Sequence, residues 1–231
     1  MPRRLIPFLL SLATILAAQS APEVEITAEP HHHQIFANDQ VRVFNVDVPP
    51  HTDTLMHWHR HDYVYVMLAP SQIVNAFKDK PAITMTLRAG DVALTPASFA
   101  HIVRNQDQPF RNITVELLQD EKLRDSTYQW DAERGLDILH GGTREIFFVK
   151  DNVRVSEFEL QPGGMIPEHH HAGPHLVIAL TDYELRSEIA GKPPTISTMK
   201  ANQASWIPGG YTHTLTNSGH TPAKFITLEF P

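Results

Sequence analysis

Two stretches of this chain repeat one another at a fixed shift of 112 residues. Placing PHTDTLMHWHRHDYVYVML (50–68) over PGGMIPEHHHAGPHLVIAL (162–180) aligns Pro50, His57, His59 and Leu68 with Pro162, His169, His171 and Leu180. The same shift lays AGDVALTPASFAHIVRN (89–105) on ANQASWIPGGYTHTLTN (201–217) without a gap. It matches Pro96 with Pro208, His101 with His213 and Asn105 with Asn217. Upstream, DQVRV (39–43) falls on DNVRV (151–155). Two copies of one unit need two equivalent cores, so the fold question reduces to a single unit of about a hundred residues.

Within each unit the apolar runs are short. Val41–Val48, Tyr63–Leu68, Ile83–Leu87, Val92–Thr95 and Ile113–Leu118 are rich in β-branched and aromatic residues and are broken by Gly, Pro, Asn and Asp. Short runs at such close spacing predict an all-β sandwich or barrel, and folding the sheets into a double-layered jelly roll hides their edges. The expected division is a leader at 1–20, a first unit at 21–118, a partly helical linker at 119–142 and a second unit at 143–231. Asn112–Thr114 has the form of a glycosylation acceptor but falls on an expected strand.

The leader is read from its composition. MPRR is followed by LIPFLLSLATILAA and then QSAPE, which is a basic start, an apolar run and small residues suited to cleavage. The run is short for a membrane span, so no stable anchoring is expected once it is removed, and the mature protein is expected to be periplasmic or secreted. Arg3 and Arg4 also admit twin-arginine export. Cleavage removes two of the 19 basic residues and none of the 26 acidic ones, taking the net charge from −7 to −9. An acidic chain without Lys/Arg clusters excludes nucleic acid as the expected partner. There is no cysteine, so disulfides, thiolate ligands and thiol catalysis are excluded together.

Histidine is the unusual residue, with 15 in the chain. His31, His32 and His33 are expected in a flexible lead-in. The informative set is in EHHHAGPHLVIAL, because residues i and i+2 of a strand share a face. His169 and His171 then point into the barrel, His175 can join them two pleats further on, and His170 faces away. His213 arrives from a distant strand after the PGGY turn. Four neutral imidazole nitrogens suit a divalent transition metal: Zn, Fe, Ni, Mn or Cu. In the first unit His57, His59 and His101 stand at the equivalent positions and Tyr63 stands where His175 does. A phenol ligates poorly unless ionised, so Tyr63 is expected to bond a bound water or act as an acid/base. Glu116 and Glu229 are expected at solvated strand ends, and Trp58, Trp206 and Phe99 to be packing residues beside the motifs.

These motifs resemble those of the cupin superfamily. The family's first motif, G-x5-H-x-H-x3-4-E-x6-G, is met by Gly163, His169 and His171, with His175 for the glutamate and Asp182 for the last glycine. Its second, G-x5-P-x-G-x2-H-x3-N, is met by Asn202 for the first glycine, then Pro208, Gly210, His213 and Asn217. In the first unit it is met by Gly90, Pro96, Ser98 for glycine, His101 and Asn105. The resemblance implies two tandem jelly-roll barrels, a bicupin, with a four-histidine metal site in the second. Loss of the anionic ligand favours an anionic or enolisable chelating substrate.

Two functions follow as expectations. One is a metal-dependent oxygenase, lyase or isomerase acting on a small oxygenated compound. The other is a non-catalytic metal or small-ligand binding protein of the cell envelope. No phosphate loop, dinucleotide fingerprint or nucleophile elbow is present. A two-barrel monomer is expected, one that can also form a homodimer.

Overall fold

A computed structural model describes residues 22–118, 139–150 and 153–231. The leader expected at 1–20 and the helix expected in the linker lie outside the described residues. The first unit contributes β1 (Val24–Glu25), β2 (His32–Ala37), β3 (Val41–Val48), β4 (His57–His59), β5 (Tyr63–Met67), β6 (Ser71–Phe77), β7 (Ile83–Leu87), β8 (Val92–Thr95), β9 (Phe99–Asn105) and β10 (Phe110–Leu117). The second contributes β11 (His140–Lys150), β12 (Val153–His171), β13 (His175–Ala179), β14 (Tyr183–Glu188), β15 (Thr195–Met199), β16 (Ala204–Ile207), β17 (Tyr211–Asn217) and β18 (Ala223–Glu229). β11 begins at His140, inside the segment expected to be linker, because it pairs with β12 from Met165 back to Val153.

The first unit folds into two five-stranded sheets, ordered β1-β4-β9-β6-β7 and β2-β3-β10-β5-β8. In the second unit the order is β15-β14-β17-β12-β18-β13-β16, with β11 on β12. Its layers are joined because β12 runs for 19 residues where the first unit has separate β3 and β4. The repeat is kept in register as well as in sequence. His57 pairs with His101 across β4 and β9, and His169 pairs with His213 across β12 and β17.

Alternation along the central strands divides their side chains between two cores. Odd residues of β3 and β10 (Val41, Val43, Ile113, Val115) and even residues of β5 (Val64, Val66) face the second unit. There they meet Val153, Val155, Leu176, Ile178, Ile226, Leu228 and Phe230 in one buried cluster. The opposite faces fill each barrel: Phe44, Val46, Met67, Ile73 and Phe110 in the first, Phe158, Leu160, Val177, Phe225 and Tyr183 in the second. Strands buried on both sides read as continuous apolar runs, which is why the alternation is faint in the sequence. Trp206 belongs to the junction between units, stacked on Phe36 at 5.7 Å and against Phe230 at 5.2 Å.

The interior faces also carry charge. Glu116 and Glu229, expected to be solvated, are 0% and 6% exposed. Glu116 lies 3.2 Å from the Arg42 guanidinium, and Arg154 donates from Nε and Nη2 to Glu229 Oε2 at 2.8 and 2.6 Å. Both glutamates fall on the inward face of the last strand, where the neighbouring strand presents the arginine of the repeated DQVRV/DNVRV segment. A buried carboxylate requires such a partner.

The second motif is a backbone device. Gly90 and Asn202 occupy its first glycine position with φ of 85° and 72°, and Ser98 and Gly210 its second with φ of 71° and 83°. Where glycine is replaced, the left-handed turn is kept at a steric cost, small for asparagine and larger for serine. The terminal asparagines tie the turn down: Asn105 Nδ2 donates to Val48 O and Pro49 O, and Asn217 Nδ2 to Leu160 O and Thr221 O. Asn112 and Thr114 are buried on β10, as the strand reading of that triplet expects.

Two consequences are testable by denaturant unfolding. Ser98→Gly relieves a left-handed serine and should stabilise the chain by about 0.5–1 kcal/mol. Ile178→Ala opens the junction between units and should cost about 2–4 kcal/mol.

Candidate metal centre

In the second unit β12 ends with His169 and His171 turned inward. His170 is turned out to solvent, with its Nδ1 3.0 Å from Thr212 Oγ1. β17 places His213 directly opposite His169. The Nε2 atoms of His169 and His171 are 3.1 Å apart, and those of His213 and His169 are also 3.1 Å apart. His175 is not two pleats further along the same strand. The chain turns after His171, and His175 opens β13, paired with Ile207 and Glu229. Its ring stacks on His171 with centroids 4.2 Å apart, and its buried Nδ1 has no hydrogen-bond partner among the described residues.

The first unit repeats this geometry. His101 Nε2 lies 3.0 Å from His57 Nε2 and 3.1 Å from His59 Nε2. Tyr63 stacks on His59 at 4.3 Å, as His175 does on His171. Burial pushes the Tyr63 phenol well above its ordinary range, which favours its protonated form. Phe99 packs against both His59 and His101 at 5.2 Å. Trp58 faces away: its Nε1 donates to Glu23 and its ring lies under Arg60 at 4.1 Å. His32 departs from the flexible lead-in expected for it. β2 pairs His32 with Val46, so strand alternation turns His32 into the barrel and His33 outward.

Tautomers decide what these contacts are. His57 Nδ1 donates to Leu55 O at 2.8 Å and His169 Nδ1 to Pro167 O at 2.7 Å, since a carbonyl can only accept. His101 Nδ1 donates to Asn75 Oδ1 at 2.7 Å. With Nδ1 protonated, each neutral ring turns a lone pair inward from Nε2. His57 and His101 thus aim two lone pairs at each other across 3.0 Å, which repel unless a cation lies between them. Donors at right angles about an ion, each about 2.0–2.1 Å from it, are about 3 Å apart. The residues therefore fit a divalent metal. Their outer bonds to carbonyl and amide oxygens are those that fix metal-ligating imidazoles.

The electrostatics agree. Burial first, then neighbouring imidazoles, holds His171 down to about 2, His175 to about 4 and His213 to about 3. His57 is lowered to about 4 by burial and by His32, while burial carries His59, His101 and His169 below the ordinary histidine value. All are neutral at pH 7, the form that ligates.

The surroundings of the two clusters differ. The second opens on a cavity of about 340 Å³, the first on one of about 50 Å³. The repeat explains the difference: Tyr65, Met85 and Phe110 line the small cavity where Val177, Ser197 and Ala223 take their structural places. The larger cavity is walled by Phe158, Ile166, Val177, Leu185, Ile207 and Phe225, with no lysine or arginine among its described lining residues. Of two functional candidates there, Glu229 was expected at a solvated strand end and Tyr211 was not singled out by sequence reading. Glu229 is the carboxylate in the wall, with Oε1 3.8 Å from His171 Nδ1. Tyr211 replaces Phe99 of the first unit and lies 5.2 Å from the His171 ring and 4.9 Å from the His213 ring. Burial and the Glu229 charge push its phenol up to about 12. Its signal was visible in the repeat, as the hydroxyl by which Tyr211 in GGYTH differs from Phe99 in ASFAH.

No family model matches the chain, and no curated protein does. Solved structures resemble it along most of its length. A cupin 2 conserved barrel domain protein from Leptotrichia buccalis shares 14% identity over 87% of this chain and 88% of its own, with a TM-score of 0.55. The fold is that of the cupin superfamily. An oxalate decarboxylase from Lactobacillus farciminis, in complex with formate, shares 14% identity over 84% of this chain and 78% of its own at a TM-score of 0.61. The oxalate decarboxylase of Bacillus subtilis, described with Mn(II) centres, shares 11% over 84% and 69% at 0.57. At these identities the likeness concerns the cupin fold, and the histidine geometry concerns this chain alone.

The depressed histidines make a pH prediction. The unfolded chain binds protons near pH 6.5 that the folded rings refuse until about pH 4 or below, so stability rises with pH across that window. Metal-free protein should keep its full urea midpoint above about pH 6.5 and lose it progressively toward pH 4. A flat profile over that window, measured by circular dichroism, would contradict neutral buried imidazoles.

Proposed function

We propose that the second barrel is the catalytic centre of an exported, metal-dependent bicupin. Its substrate is a small, oxygenated, enolisable compound with an apolar body. One observation carries the reading: three converging imidazole nitrogens stand in the wall of a cavity of about 340 Å³, whereas the equivalent space in the first barrel is about 50 Å³. A site of the larger size suits a ligand of modest dimensions, and its apolar walls suit the body of one. The lack of lysine and arginine among the described lining residues favours an enolisable over a strongly anionic compound.

His169, His171 and His213, with His175 stacked beside them, are the proposed ligands. A divalent transition metal bound there supplies Lewis acidity to a substrate oxygen and, if redox-active, electrons to dioxygen. The chain's own groups do the rest. Tyr211, kept protonated, donates a hydrogen bond to an oxygen held beside His171 and His213. Glu229, clamped by Arg154 on Oε2, keeps Oε1 toward His171 and serves as proton acceptor for a bound carbon acid. The reaction class, oxygenase, lyase or isomerase, follows from the metal and the substrate.

Elemental analysis of tag-free mature protein tests the site. His213→Ala should lose the metal of the second barrel and lower the thermal midpoint. Unchanged metal content and stability would overturn the reading. Tyr211→Phe should keep the metal and lower kcat by roughly 10–100-fold. A fully loaded protein that turns over no enolisable carbonyl compound, with or without oxygen, would instead favour the envelope binding protein.

A further inference from the structure

In the first barrel a phenol, Tyr63, stands where the cupin pattern puts its fourth ligand. The neighbourhood provides a replacement from another strand. A ring nitrogen of His32 lies within 4.8 Å of those of His57 and His59, with the His32 and His57 centroids 4.7 Å apart. His32 Nδ1 donates to Glu29 Oε2 at 2.6 Å, which leaves Nε2 as the lone-pair nitrogen. Glu29 is 2% exposed and follows the 3₁₀ turn Ile26–Ala28. Its Oε2 also accepts the His31 N–H at 2.8 Å, and its Oε1 the Leu55 N–H at 3.2 Å. Leu55 O in turn accepts the proton of His57 Nδ1. One buried carboxylate thus orients two imidazoles, His32 directly and His57 through a peptide.

We propose that His32 joins the motif histidines His57, His59 and His101 as an additional ligand to a metal of the first barrel, with Glu29 as its outer carboxylate, and that this centre is closed to substrate. Closure follows from the remaining space of about 50 Å³, enough for water and too little for an organic ligand. The ligands come from both sheets of the barrel: His32 from β2 in one, His57, His59 and His101 from β4 and β9 in the other. The ion therefore clasps the two layers and fastens the N-terminal strand to them. In the second barrel Arg144 holds the register position equivalent to His32, opposite Phe158 as His32 is opposite Val46. This inference does not depend on the catalytic reading of the second barrel.

The test uses the full mature chain and cobalt(II) alone. Wild type should take up two equivalents per chain and His213→Ala one, the latter reporting the first barrel. In the His213→Ala background, His32→Ala should abolish or strongly weaken the remaining binding. Glu29→Gln, which preserves shape, should weaken it by roughly 10–100-fold. Azide should perturb the cobalt spectrum of wild type and leave that of His213→Ala unchanged. Wild-type affinity and spectrum in both the His32 and Glu29 variants would overturn the ligand assignment, and an azide response in His213→Ala would overturn closure. Loss of the second barrel's equivalent alone would bear only on the catalytic reading.

Discussion

The structure depends on strands that bury both of their faces. In β3, β10 and β5, and in their counterparts β12, β18 and β13, one set of alternating residues joins the units through aliphatic contact and the other set lines a barrel. The hydrophobic effect acts on both faces, so the register of each strand is fixed twice over. A slip by one residue would bring Arg154 and Glu229 to the junction and Leu228 into the barrel. That double constraint lets histidines from distant strands meet to within hydrogen-bond distance.

On this shared frame the two barrels have diverged by a few substitutions. Val177 and Ser197 line the larger cavity where Tyr65 and Met85 line the smaller, and Ala223 holds the register position of Phe110. Tyr211 gains a hydroxyl over Phe99 beside the imidazoles. Around the first cluster the change runs the other way: an additional histidine and its carboxylate occupy the interior. One barrel has traded ligand density for room, the other room for ligand density.

Burial serves both clusters through solvation. Removing water from an imidazole disfavours its charged form, so His57, His59, His101, His169, His171, His175 and His213 stay neutral and keep a lone pair for a cation. The bonds from Nδ1 to Leu55 O, Pro167 O and Asn75 Oδ1 then choose which nitrogen carries that lone pair. Glu116 and Glu229, also buried, remain tolerable because an arginine on the adjacent strand meets each of them.

Some of this was legible from the sequence alone. The shift of 112 residues, the HxH spacing and the motif turns determined a duplicated β-barrel, the inward set His57, His59, His101, His169, His171 and His213, and the outward His170. Spacing carries that information because a strand's alternation is a local property of its own residues. What faces them across the barrel is not local. His32, Glu29 and the burial of Glu116 and Glu229 were decided by long-range pairing of β2 with β3 and of β10 and β18 with the strands beside them. His175 was misplaced for the same reason, since a turn, invisible to a count of residues, moved it to another strand. The unequal cavities were beyond any spacing, because volume is set by side chains converging from strands far apart in the chain.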